Sequence, residues 1–119
     1  LAGESVWLQR WKEQTETKWP DETLKTPIGK IAEQFESVSR ERDDFLRATA
    51  DGHWNRNVTY RDSKGSLFHT PLGDMMLQMC LHSHYHRAQA VNMLRRVGGN
   101  APELDYMMWV RKPAGTSMP

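Results

Sequence analysis

Leu81-His82-Ser83-His84-Tyr85-His86-Arg87-Ala88-Gln89 places three histidines within five residues, inside a segment that reads as one long helix. On a helix, residues i and i+4 lie one turn apart on the same face, so His82 and His86 present ring nitrogens to a common ion while His84 points elsewhere. The stripe through Met75, Met79, His82, His86 and Met93 sets both imidazoles among core-facing apolar side chains. Two buried imidazoles need polar partners. By spacing alone, ordinary core or surface histidines are the commoner explanation, so the pair has to be weighed with the rest of the chain.

Working outward, the helix holding this run is expected over about residues 71–97. Thr70 is placed as its N-cap, Pro71 at its first position, and Gly98-Gly99 as the residues that release it through positive φ. It is apolar on most of its circumference, which predicts burial at the centre of the fold or at a subunit interface. The tetrapeptide Thr70-Pro71-Leu72-Gly73 echoes Thr26-Pro27-Ile28-Gly29, and the same capping is read for a second helix over about 27–50. That helix shows one apolar face through Ile28, Ile31, Phe35, Val38, Phe45 and Leu46. Its other face carries Lys30, Glu33, Glu36, Arg40, Asp43 and Asp44 and reads as solvated surface. Between the two helices, Asp51-Gly52 is a break. Val58-Thr59-Tyr60, Asp62-Ser63-Lys64-Gly65 and Leu67-Phe68 then read as a short hairpin excursion. A first helix is expected over about 1–14, with Leu1, Leu8 and Trp11 on one stripe, Val6 and Trp7 beside them, and Glu4 on the same face. A last short helix is expected over 103–111, with Leu104, Met107 and Met108 available for docking.

The chain has 119 residues, 38% of them hydrophobic and 26% charged, which suits one domain, 1–119, with one core. Five Trp and seven Met supply large, adaptable side chains of the kind that pack helices around an irregular cavity. Sixteen basic residues are interspersed with fifteen acidic ones for a net charge of +1, so no electrostatic footprint for nucleic acid is present. Cys80, the single cysteine, has no internal disulfide partner and reads as an ordinary buried thiol. No segment resembles a signal peptide or membrane span, and a cytoplasmic location follows as the expectation. The chain begins at Leu1, already inside a helical pattern, and is expected to be a fragment of a longer product.

Two histidines do not complete a site: catalytic zinc takes three protein ligands and a water, and a facial arrangement with open positions suits nickel or iron. Candidates for the third ligand are Glu4, His53 and His69. For Glu4 the commoner reading is a carboxylate favoured at a helix start by the N-terminal dipole.

The run from His82 to Gln89, followed by Met93-Leu94-Arg95-Arg96-Val97-Gly98-Gly99, then by Pro102-Glu103-Leu104-Asp105-Tyr106 and Val110-Arg111, resembles the C-terminal half of the DinB family. Leu1-Ala2-Gly3-Glu4-Ser5-Val6-Trp7-Leu8 is similar to that family's helix with a Glu and a Trp shortly after a His. The resemblance spans nearly the whole chain, and its most specific part is the His-x-x-x-His-Arg-x-Gln run with the Pro-x-x-Asp segment behind it. It implies an all-α, up-down four-helix bundle, here lacking the first family helix, that binds a metal through one early His and two later ones. The later two correspond to His82 and His86, and the earlier one is expected ahead of Leu1. Tyr85 stands where relatives often carry His. Arg87 and Gln89 match the family pattern and would either orient a liganding His or serve as surface groups.

The resemblance further implies a metal-dependent enzyme of the thiol transferase, isomerase or hydrolase type. It would act on a small-molecule substrate with a divalent metal, zinc or nickel, and a low-molecular-weight thiol. No catalytic residue beyond the ligands can be named from the sequence. The alternative is a non-catalytic helical bundle with an incomplete metal site, whose apolar third helix pairs with another chain. A homodimer is expected on either reading.

Overall fold

A computed structural model describes residues 1–14, 16–19, 21, 25–49 and 51–111. The element order is α1 (Ala2–Trp11), α2 (Ile28–Ala48), a single 3-10 turn (His53–Asn55), β1 (Asn57–Arg61), β2 (Leu67–Pro71), α3 (Leu72–Arg96) and α4 (Tyr106–Val110). Residue contacts divide the chain into one unit, Leu1–Ser83, and a second that begins at His84, within α3.

The expected all-α up-down four-helix bundle is corrected by this structure, which is a mixed fold of four helices and a two-stranded antiparallel sheet. The hairpin falls where the turn residues placed it, but it is part of the core and not an excursion from it. Strands β1 and β2 pair in the register Val58↔Thr70, Thr59↔His69 and Tyr60↔Phe68. The turn is held by one side chain: Asp62 Oδ1 accepts hydrogen bonds from the backbone N–H groups of Lys64 (2.9 Å) and Ser66 (2.8 Å). Gly65 takes a φ of +83° at its end, a region that costs a side chain but not glycine. Alternation then points Val58 and Tyr60 to one face. Val58 is fully buried in a cluster with Leu8, Trp11, Leu72, Met75 and Met79, so removing the hairpin would open the core.

Around that cluster α1 contributes Leu8 and Trp11, and α3 contributes Leu72, Met75 and Met79 at the i, i+3, i+7 spacing of one helical face. Helix α2 supplies only the half-buried Val38, Phe45 and Leu46. Its expected apolar face therefore meets the core cluster over the C-terminal half, and Ile28 and Phe35 are exposed. Trp11 meets Phe45 at 5.9 Å between ring centroids and Trp7 meets Tyr60 edge-on at 5.8 Å. Arg10 is buried between them, its guanidinium 4.8 Å from the Trp7 ring and 4.9 Å from that of Tyr60, with Nη2 donating to the Arg61 carbonyl at 3.3 Å. Burial pushes the Arg10 pKa below its ordinary value, opposed by the negative charges of Tyr60 and Asp62 when ionised. The cation faces two π-clouds in place of water.

Helix ends differ from expectation in instructive ways. Helix α1 stops at Trp11, short of residue 14, because Glu13 adopts φ +59°. The Gln14 N–H then bonds back to the Gln9 carbonyl and the Glu13 N–H to that of Arg10, a Schellman ending built on a non-glycine residue. The same pattern closes α3 with Gly98 at φ +76°, where the Gly99 N–H reaches the Leu94 carbonyl. The two Thr-Pro-x-Gly tetrapeptides are not one capping device. Thr26 makes no side-chain cap and α2 begins after Pro27, whereas Thr70 and Pro71 close strand β2 and α3 starts directly at Leu72. No helix among the described residues is long and apolar enough to cross a membrane.

In the unit that begins at His84, the last turns of α3 carry the buried Val91, and the segment after Gly99 leads into α4. Asp105 caps that five-residue helix, its Oδ1 accepting from the Met107 N–H at 2.9 Å. Helix α4 is too short to serve as the fourth member of a bundle.

Candidate metal centre

Helix α3 is uninterrupted across both candidate ligands. His82 is one step beyond Met75 and Met79 on the stripe that enters the core, and it is half-buried. Its ring lies against α1 at Gly3: a Cβ placed on that glycine would sit 3.1 Å from His82 Cε1 and 3.2 Å from Nδ1. A glycine in a helix sacrifices about 0.5–1 kcal/mol relative to alanine, and here its missing methyl is the space the imidazole uses. His86 belongs to the second unit. It is exposed, with its ring edge-on to Tyr85 at 5.5 Å between centroids.

The three candidates for a third ligand are placed separately. Glu4 is buried at 6% exposure, and its Oε2 lies 3.6 Å from Arg42 Nη1 of α2, which makes it one half of an ion pair between helices. His53 is exposed in the 3-10 turn. His69 is exposed on β2, its Nδ1 2.8 Å from the Thr59 hydroxyl across the strand pair. Among the described residues no three His, Cys, Asp or Glu side chains converge as a metal-holding group. Two nitrogen donors on one helix are compatible with part of a zinc or nickel site, but the described residues do not complete the donor set.

Cys80 is exposed and not a core thiol as its sequence context suggested. The position after Met79 on a helix turns away by about 100°, so its neighbour's burial says nothing about it. Gly3 and Arg42 were not singled out by sequence reasoning. A glycine in the first turn of an otherwise good helix was the available signal for Gly3, whereas nothing in the charged face of α2 distinguishes Arg42 from its neighbours.

The DinB family model matches residues 1–115. The chain belongs to the DinB family. Nothing among curated proteins or solved structures matches it significantly. The bounds of the match enclose the hairpin, the His82–His86 run and the Pro102–Tyr106 segment alike.

Proposed function

We propose that this DinB-family chain is a metal-dependent enzyme of the thiol transferase, isomerase or hydrolase type, with His82 and His86 as two ligands of one divalent ion, zinc or nickel. The observation that carries the reading is His82: a half-buried imidazole at the end of a core stripe, seated against a helix glycine, with a second imidazole four residues on in the same unbroken helix. The remaining protein ligand is one that the described residues do not supply. A small-molecule substrate and a low-molecular-weight thiol in the cytoplasm are part of the same proposal. The test is calorimetric titration of Zn²⁺ and Ni²⁺ into the protein and its His82→Ala and His86→Ala variants, with circular dichroism to check the fold. One equivalent bound, weakened about tenfold or more by either substitution, is expected by analogy with the sensitivity of metal affinity to lost supporting groups. Unchanged affinity in both variants would remove the metal assignment.

A second reading, a non-catalytic homodimer, is favoured by one observation: Leu77, Leu81, Tyr85 and Met93 of α3 are all more than half exposed. Such residues are the kind a partner copy would cover. A dimer by sedimentation that binds neither metal supports this reading, and a stable monomer opposes it.

A further inference from the structure

The Pro102–Tyr106 segment has no role in the metal proposal, yet within the unit that begins at His84 it forms one wall of a cleft of about 370 Å³. The other wall is the face of α3 that includes His84, Val91 and Arg95. Val91 is buried and Leu104 half-buried, which gives the cleft an apolar floor. Its charged groups divide by sign: Arg95 comes from the helix, and the carboxylates of Glu103 and Asp105 come from the segment opposite.

Opposite charges sharing a cleft would ordinarily close on each other. Here they do not: among the described residues Arg95 forms no ion pair within 4.0 Å, and the backbone supplies the reason. Glu103 Oε1 accepts from the N–H groups of Leu104 (2.9 Å) and Asp105 (3.0 Å). Asp105 Oδ1 is committed to the Met107 N–H as the cap of α4. Each carboxylate is thus anchored through one oxygen, and swinging toward Arg95 would sacrifice those bonds. Charged acceptors with backbone N–H donors are among the stronger hydrogen bonds. The second oxygen of each remains available to a cation.

From this arrangement we infer that the cleft binds a small zwitterion of the amino-acid or short-peptide class, its ammonium held by Glu103 and Asp105 and its carboxylate by Arg95. Such a molecule supplies both missing counter-charges at once, whereas a simple anion or cation leaves one wall uncompensated. The open walls predict weak binding, of roughly millimolar order. The inference does not rest on the metal assignment and is tested without metal.

The experiment is a ¹H–¹⁵N NMR titration of the whole chain with L-alanyl-L-alanine, with acetate and methylammonium as single-charge controls. Saturable shifts are expected at the amides of 103–106 and at the Arg95 side chain, with both controls much weaker. Arg95→Gln and Glu103→Gln should each weaken binding about fivefold or more, since each removes one charge-assisted contact at a solvent-exposed site. Both positions are on the surface; Glu103→Gln keeps the side chain's length and Arg95→Gln shortens it but keeps it polar, and unchanged amide spectra elsewhere verify the fold. Absence of saturable shifts, shifts confined to other residues, or equal shifts with acetate alone would overturn the proposal.

Discussion

Leu8 and Leu81 are both leucines on helices that the sequence marks as apolar, but Leu8 is 1% exposed and Leu81 60%. Leu8→Ala removes three buried carbons at about 0.8 kcal/mol each, roughly 2.4 kcal/mol of transfer free energy. The cavity left among Trp11, Val58 and Leu72 raises the expected cost to about 3–5 kcal/mol. For Leu81→Ala only the covered fraction counts, which scales the transfer term to about 1 kcal/mol or less, and alanine's better helix propensity offsets part of that. At roughly 4 °C per kcal/mol for a chain of this size, the two variants should differ by about 8–16 °C in Tm. Thermal unfolding for Tm and urea unfolding for the free energy, both followed by far-UV circular dichroism at two protein concentrations, measure the two variants. Equal losses for the two variants would refute the exposure of Leu81 and with it the burial pattern of α3. A Leu81 loss that depends on protein concentration would show that a second copy covers the residue.

Two further substitutions test local features. Gly3→Ala gains up to about 1 kcal/mol of helix propensity, but the new methyl forces the His82 ring to give by a few tenths of an ångström. Stability should therefore change little while the His82 imidazole resonances move and Zn²⁺ affinity falls; an unmoved His82 signal would show that the glycine is not its seat. Glu13→Gly should stabilise by about 1 kcal/mol, because it relieves a left-handed conformation that a side chain disfavours. The exposed Glu13–Arg56 ion pair of 3.0 Å that it removes is worth less than that. A lower Tm for Glu13→Gly would contradict the Schellman ending of α1.

Local chemistry was legible in the residues themselves. Gly98 ends α3, Asp62 and Gly65 shape a hairpin turn, and the Met75–Met79–His82 stripe carries the spacing of one helical face, because each depends on backbone preference or on the 3.6-residue period. Family membership was legible for a related reason: its motifs are short runs whose order survives without knowledge of contacts. The fold class was not. Whether Val58 caps a core or decorates a loop depends on what lies across from it, and only packing against Leu8, Trp11 and Leu72 makes the hairpin indispensable. Thr26-Pro27 and Thr70-Pro71 are the same dipeptide, yet one precedes a helix and the other completes a strand, because strand pairing with Asn57 and Val58 overrides a weak capping preference. The candidate site divides the same way. The sequence placed His82 and His86 a turn apart on one helix. That His82 rests on Gly3, that Glu4 is paired with Arg42, and that Arg95 stands apart from two anchored carboxylates are matters of long-range approach between elements, which no local periodicity encodes.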